Sequence, residues 1–142
     1  MKQVKIFSAF SIVLLIAALC STATAQDNVD IIVNPNNPVS TLTRMELVKI
    51  FKGAKVSWDD GSKIIPVVQE AEVKGFFDLM DMSRRKFDKH WITVALSGGT
   101  TPPKRIAGDA GVASYVARTK NSISYVSNGA RVSDVKVLKI ID

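Results

Sequence analysis

The N-terminal segment limits what this chain can fold into, because it has the pattern of a secretory signal peptide. Lys2 and Lys5 form a basic start, and a mostly apolar run over residues 6–19 follows. This run is shorter than the ~18 residues typical of a membrane span. Ala23-Thr24-Ala25 then provides a small-x-small cleavage site. We therefore predict a signal peptide over residues 1–25 and one folded domain over residues 26–142.

Two alternatives for this segment are a retained membrane anchor and a lipid attachment site. No basic stop-transfer cluster follows the apolar run, which argues against an anchor. Cys20 lies where a bacterial lipoprotein carries its lipid, but Leu19 occupies a place where such signals have a small residue. We therefore expect a released periplasmic protein rather than a lipoprotein. Its domain would contain no cysteine and form no disulfide.

The residue counts argue against several functional classes. The chain has 19 basic and 13 acidic residues, without a basic stripe interleaved with aromatic residues, so no nucleic-acid partner is expected. His90 is the only histidine, which argues against a His-rich metal site and against Ser-His or Cys-His catalysis. We predict that the protein is not an enzyme and needs no metal or cofactor. Its modest positive excess suits an anion or an acidic surface.

Strand and helix signals alternate along the domain, which favours an α/β fold over a helical bundle. Runs of β-branched and apolar residues predict strands over residues 29–33, 63–69, 123–126 and 135–141. Apolar residues at helical spacing predict helices that follow Thr43 and Ser83, and two others over residues 72–82 and 109–118. Gly53 is expected to end the first helix.

A hydroxyl cluster at the start of the first helix is one candidate anion site. Ser40 and Thr41 lie just before this start, where unpaired N–H groups and the helix dipole favour negative charge. The same region also fits plain helix capping, since Thr43 and Glu46 have the spacing of a capping box.

A glycine-rich string is a second candidate for anion binding. Ser97, Gly98, Gly99 and Thr100 combine hydroxyl donors with backbone N–H groups that glycine leaves accessible. The alternative is a helix end followed by a polar turn into Pro102-Pro103. No Gly-Lys-Ser/Thr follows, so the string does not match a P-loop.

An ordered series of short motifs runs through the domain and is similar to that of a known family. In chain order the pieces are Val33-Asn34-Pro35-Asn36-Asn37-Pro38, Ile50-Phe51-Lys52-Gly53, Trp58-Asp59-Asp60-Gly61, Ile64-Ile65-Pro66-Val67, His90-Trp91, Pro102-Pro103, Tyr115-Val116-Ala117 and Ile123-Ser124-Tyr125-Val126. This series resembles the phosphate-binding, substrate-binding protein family of ABC transporters, within the type 2 periplasmic binding protein superfamily. The resemblance implies an α/β fold, a single lobe whose mixed sheet is flanked by helices.

The resemblance also implies where a ligand would bind, and there this sequence departs from the family. In the family, the strand that resembles residues 64–69 leads to an arginine and then to Ser-Gly-Thr at a helix start, which together hold the phosphate. Here Gln69 stands in the arginine position, and Glu72, Val73 and Lys74 replace the Ser-Gly-Thr region. Charge-assisted bonds to an oxyanion contribute ~1.5–3 kcal/mol each, so phosphate affinity should fall. Lys74 can restore a positive charge but not the two parallel hydrogen bonds that an arginine guanidinium donates to an oxyanion.

A further departure lies near the end of the domain. The family closes on Gly-Ala-Ile-Gly-Tyr, whereas this chain has Ser122 and Ser124 in that region. The resemblance by itself gives these serines no role.

Two functions follow from the resemblance. The first is a periplasmic solute-binding protein of reduced size, which captures phosphate or another small oxyanion for an inner-membrane permease. The alternative is an interaction or sensory adaptor lobe that has lost phosphate binding and docks on a membrane partner such as a sensor protein. Full-length family members hold their ligand between two lobes. A single lobe exposes the face that the other would cover, which also permits self-association.

Overall fold

A computed structural model gives the structure of residues 28–142. The predicted signal peptide over residues 1–25 and the lipid question at Cys20 lie outside the described residues. Within the described chain, no helix combines the length and the apolar character needed to cross a membrane.

Strands and helices alternate through residues 28–142, as the sequence predicts. In chain order the elements are β1 Val29–Val33, β2 Thr41–Thr43, α1 Arg44–Phe51, β3 Ile65–Gln69, α2 Lys74–Leu79, α3 Arg84–Leu96, β4 Lys104–Ile106, α4 Gly108–Arg118, β5 Ser122–Ser127 and β6 Lys136–Ile141. The predicted α/β fold class, with a mixed sheet flanked by helices, is confirmed. Two predictions about extent were wrong: the strand predicted from residue 63 begins at Ile65, and α2 is shorter than residues 72–82.

The described strands form one mixed sheet in the order β2-β6-β1-β5-β3-β4. β1 is antiparallel to both of its neighbours, β5 and β6, whereas the other neighbouring strands are parallel to each other. Pro66 is tolerated inside β3 because β4 begins to pair only at Val67, opposite Lys104. No ladder donor is therefore needed at Pro66 on that side.

Local capping signals in the sequence fix two helix starts. The Thr43 hydroxyl accepts a hydrogen bond from the Glu46 N–H, and the Glu46 carboxylate accepts one from the Thr43 N–H, which confirms the capping box. Ser83 caps α3 by accepting from the Lys86 N–H at 3.2 Å. Gly53 follows the end of α1 with a φ of 76°, a conformation that glycine adopts without strain.

The two faces of the sheet bury different sets of side chains. Alternation along β1 turns Ile31 and Val33 toward one core and Ile32 toward the other. The larger core packs α1, α2 and α3 against the sheet and holds most of the aromatic side chains. The smaller core packs α4 through Val112, Ala113 and Val116. The domain therefore has three layers, with the sheet in the middle.

Tyr125 on β5 lies at the centre of the larger core. Its ring stacks on Phe76 of α2 with 3.8 Å between ring centroids and 9° between the planes. Its hydroxyl oxygen accepts a hydrogen bond of 3.1 Å from the Gln69 N–H, at the end of β3. Burial, only partly offset by this bond and by the charge of Arg84, raises the pKa of Tyr125 to about 12.

We expect alkaline pH to destabilise the protein through Tyr125. An unfolded tyrosine has a pKa of about 10, so the stability due to the neutral phenol is complete below that pH and is lost as pH rises through 12. Urea unfolding of the wild type should lose about 2–3 kcal/mol between about pH 10 and 12 for this reason. Tyr125→Phe should lower stability at pH 7 and lose this pH dependence.

Tyr115→Phe is the matched control, because the Tyr115 ring is half-buried on α4, outside the larger core. It should leave both the stability at pH 7 and the alkaline slope close to those of the wild type. An alkaline slope that Tyr125→Phe does not change would contradict this account.

Candidate functional site

The carboxyl end of β3 is the position where an α/β sheet of this kind would bind a ligand. β3 ends at Gln69, and an open groove of about 740 Å³ lies beyond it. This groove, called the β3 groove below, is lined by Glu72, Lys74, Phe77, Asp78, Asp81, Met82 and Ser83. Of the residues predicted from the sequence, Glu72 and Lys74 line it.

Gln69 is buried, and its side-chain amide nitrogen is engaged inside the domain. Its amide nitrogen donates to the Asp109 carboxylate at 2.7 Å and to the Tyr125 carbonyl at 3.2 Å. Only 4% of the residue is exposed. The Gln69 amide therefore joins β3 to β5 and α4 instead of pointing a donor into the β3 groove.

Asp109 lies in the first turn of α4, where a negative charge is favoured by the helix dipole. Burial alone raises the pKa of Asp109, but hydrogen bonds from the Ser127 N–H at 3.0 Å and from Gln69 outweigh burial and hold the pKa below its usual value. Sequence reasoning gave Asp109 no role beyond its helix. Its partners lie 18 and 40 residues away in the chain, so no local sequence pattern indicates them.

The serines that depart from the family pattern are also internal. The Ser124 hydroxyl donates to the Val67 carbonyl at 2.7 Å, and the Ser122 hydroxyl donates to the Thr119 carbonyl at 2.6 Å. Both residues are completely buried. Regular pairing of β3 with β5 stops at Pro66 and Ile123, so the Ser124 bond holds the two strands together beyond that point.

The segment 72–74 supplies mixed charge at the groove. Glu72 and Lys74 are exposed, and Val73 precedes α2 without a side-chain capping bond. The Lys74 ammonium forms an ion pair with the Asp78 carboxylate one turn later. Glu72, Asp78 and Asp81 thus place three carboxylates in the groove alongside one ammonium group, and this charge balance opposes an anion.

Arg84, which follows the groove residue Ser83, lies over the Phe77 ring and has its guanidinium group engaged by other partners. Arg84 donates to both carboxylate oxygens of Asp88 at 3.1 Å and to the Glu70 carbonyl at 3.2 Å. Arg105 donates to the same Asp88 carboxylate at 2.7 Å. Asp88 therefore neutralises guanidinium groups that could otherwise attract an oxyanion.

The glycine-rich string lies at a different place and ends α3. The Gly98 N–H donates to the Ala95 carbonyl at 3.3 Å and the Gly99 N–H to the Val94 carbonyl at 3.0 Å. Ser97 donates its hydroxyl to the Val94 carbonyl as well. Thr100 lines a cavity beside Pro66, toward the amino end of β3. These groups are therefore engaged in a helix end and lie away from Gln69.

Ser40 and Thr41 are far from the other candidates. Thr41 opens β2 at one edge of the sheet, and the Ser40 carbonyl accepts from the Lys139 N–H of β6. Four strand spacings separate β2 from β3, which is roughly 19 Å at ~4.8 Å per step. The structure thus brings together Gln69 and the segment 72–74, but not the two hydroxyl-rich segments.

Metal binding has no support among residues 28–142, where no group of three or more His, Cys, Asp or Glu side chains has a suitable arrangement. His90 instead donates from Nε2 to the Lys52 carbonyl at 2.8 Å.

Solved structures share this fold, whereas no protein-family profile and no curated protein matches the chain. One similar structure, from Clostridium perfringens, is described as a phosphate ABC transporter substrate-binding protein with bound phosphate; it has a TM-score of 0.63 and 21% identity. An ABC-type phosphate transport receptor from Vibrio cholerae has a TM-score of 0.62 and 24% identity. PstS from Borrelia burgdorferi has a TM-score of 0.62 and 15% identity. Each match covers 80% of this chain.

This chain spans less than half of each of these structures, with 45%, 46% and 47% of their lengths covered. The chain therefore shares the fold of just under half of each of these structures, a mixed sheet flanked by helices. The resemblance to phosphate ABC transporter substrate-binding proteins is confirmed at the level of the fold.

We predict that Gln69 is needed for stability. Gln69→Leu keeps the side chain's approximate size but removes both donated bonds, so it should lower the free energy of unfolding by about 1–3 kcal/mol. It should also weaken the dependence of stability on acid below about pH 4, because the stability due to Asp109 is lost as pH falls through its lowered pKa. Urea unfolding at several pH values measures both effects.

Glu72→Gln is the control for this experiment, since Glu72 is exposed at the neighbouring groove. It should change stability by less than about 0.5 kcal/mol. If Gln69→Leu lowered the free energy of unfolding as little as Glu72→Gln, the proposal that the Gln69 amide stabilises the domain would be contradicted.

Proposed function

We propose that this chain is an exported periplasmic binding lobe that docks on a membrane-associated protein, and that it is neither a tight phosphate carrier nor an enzyme. The observation that carries this proposal is the engagement of Gln69. In the position where the resemblance implies a phosphate-holding arginine, the chain has an amide whose donors are bound to Asp109 and to the Tyr125 carbonyl.

The charge of the β3 groove supports the same conclusion. Its carboxylates repel an oxyanion, while the half-buried Met82 adds apolar surface to the lining. An interface commonly combines an apolar centre with a charged rim. The groove is therefore suited to a protein segment that carries both apolar and basic side chains.

The proposal that the protein is not an enzyme has its own support. The single histidine is bound to a backbone carbonyl between α3 and α1, away from the β3 groove. The Tyr125 phenol, with its raised pKa, is buried against Phe76. Neither group is presented to a substrate in the groove. Export rests on the signal-peptide pattern of residues 1–25.

Capture of a small oxyanion is the second candidate, favoured by Lys74 at the groove and by the phosphate bound in the Clostridium perfringens structure. The ammonium would have to exchange its Asp78 partner for the anion, which predicts weak binding. Under this candidate, phosphate should raise the melting temperature of the wild type but not that of Lys74→Gln.

Photo-crosslinking in cells tests the docking proposal at the groove. Glu72 is replaced with benzoylphenylalanine, since it is exposed and lines the groove. Ultraviolet light should then produce a discrete adduct with an envelope protein, identified by mass spectrometry. An adduct of twice the monomer mass would identify a second copy of this chain as the partner.

The matched control places the same amino acid at Ser114, which is exposed on α4 on the opposite face of the sheet. This position should give no adduct of the same mass. A groove variant that is folded and exported but yields no adduct, or an adduct common to both positions, would contradict docking through the groove.

A further inference from the structure

A second cavity lies beside the amino end of β3, away from the β3 groove. Its volume is about 290 Å³, and its apolar wall includes Ile50 of α1, Ile64 before β3 and Trp91 of α3. These three side chains are buried, with 1%, 3% and 5% exposed. Thr100 and Pro66 complete part of the wall. The cavity therefore belongs to the packed domain rather than to a mobile surface.

Hydrogen bonds between α3 and the end of α1 hold this cavity in shape. The Trp91 indole N–H donates to the Phe51 carbonyl at 3.1 Å, and His90 donates to the Lys52 carbonyl at 2.8 Å. Gly53 follows with positive φ, and a Cβ atom at this residue would lie 2.7 Å from both Trp91 and Thr100. Glycine thus lets the chain pass close to the indole without filling the cavity.

The mouth of the cavity is formed by the chain between α1 and β3. The Ile64 N–H donates to the Val56 carbonyl at 2.9 Å, and Ser57 forms an antiparallel bridge with Lys63, so this segment folds back on itself before β3. Val56 is 46% exposed although it is apolar. Val56 therefore adds exposed apolar surface to the lining of the cavity.

The charge around the cavity is positive. Lys55, Lys63 and Lys104 line it, and no acidic side chain of the described chain is among the lining residues. Lys55 already pairs with Glu46 at 3.2 Å. Within residues 28–142, no carboxylate lies within ion-pair distance of Lys63, whereas the Lys104 ammonium lies over the Tyr115 ring, 5.0 Å from its centroid.

We propose that this lysine-rimmed cavity binds a small organic anion that has a flat apolar body and a single carboxylate. The apolar body lies against Trp91 and Ile64, and the carboxylate remains at the rim near Lys63. A few charged groups at the edge of an apolar cavity are the usual arrangement for orienting a small ligand. The proposal is independent of docking through the β3 groove, because the two sites share no lining residue.

An anion with an apolar body could be a free aromatic acid or a membrane lipid, and the size of the cavity favours one of them. About 290 Å³ is just below the ~300–1,000 Å³ typical of small-molecule sites. A fused two-ring system fits this volume, whereas a long acyl chain of a lipid would extend into solvent. The geometry therefore favours a free aromatic acid over a membrane lipid.

Titration with 1-naphthoate tests the proposal on the mature chain, followed by the indole N–H signals in NMR spectra. We expect saturable binding with a dissociation constant of about 1 mM or tighter, given ~0.3 kcal/mol per ligand atom. The Trp91 signal should move, while that of Trp58, which is bonded to the Asn121 carbonyl outside the cavity, should not. The neutral 1-naphthamide should bind more weakly, and neither laurate nor inorganic phosphate should displace 1-naphthoate.

Variants separate the apolar and the charged contributions. Val56→Trp should block the mouth and abolish binding, whereas Val137→Trp, at a valine that is 55% exposed on β6, should not. Lys63→Gln should weaken 1-naphthoate about two- to fivefold and leave 1-naphthamide unchanged, while Lys89→Gln on α3 is the control. Unchanged binding to Val56→Trp, equal binding of acid and amide, or tighter binding of laurate would overturn the proposal.

Discussion

Gln69 and Tyr125 hold the carboxyl end of β3 against β5, just beyond the point where the regular pairing of these strands ends. The Gln69 N–H donates to the Tyr125 hydroxyl, and its side-chain amide donates to the Tyr125 carbonyl and to Asp109. Tyr125 in turn stacks on Phe76, which fixes α2 on the sheet. A single buried residue pair therefore connects the middle of the sheet to helices on both of its faces. Because a buried polar group without a partner is costly, any rearrangement that freed Gln69 for a ligand would destabilise the core.

Because of this constraint, the fold of the chain does not determine the chemistry at the end of β3. The fold is shared with phosphate-binding structures, yet the residues at the end of β3 serve the interior of the domain. Ser124 bonds the Val67 carbonyl, and Asp109 provides the negative charge that Gln69 and the Ser127 N–H bind. The lining of the β3 groove outside includes three carboxylates and one ammonium group. A shared fold therefore gives the position of a site but not its ligand, which depends on particular side chains.

The sequence predicted most of the fold because the signals that define its elements are local. The capping box at Thr43, the cap at Ser83 and the apolar runs of β1 and β5 each depend on residues a few positions apart. The short strands β2 and β4 were not predicted, because three residues are too few to establish an alternating pattern. They form only because β6 and β3 offer free edges.

The candidate site was less predictable for a related physical reason. The departure at Gln69 is visible in the sequence, but its partners lie 40 and 56 residues away, so its internal role appears only in three dimensions. The same holds for Ser124, whose partner is 57 residues away. The cavity of Trp91 and the lysines also joins three separate segments. Aromatic and lysine positions taken one at a time predict a core and a solvated surface, not a binding site.

An amide NMR titration with inorganic phosphate tests most directly whether the end of β3 is closed to oxyanions. The account predicts that the N–H signals of Gln69, Val73 and Lys74 do not shift in a saturable way up to about 10 mM phosphate, a range in which binding of even −2.7 kcal/mol would be seen. Saturable shifts of these signals below about 10 mM phosphate would show that the carboxylates do not exclude an anion, and would contradict the account.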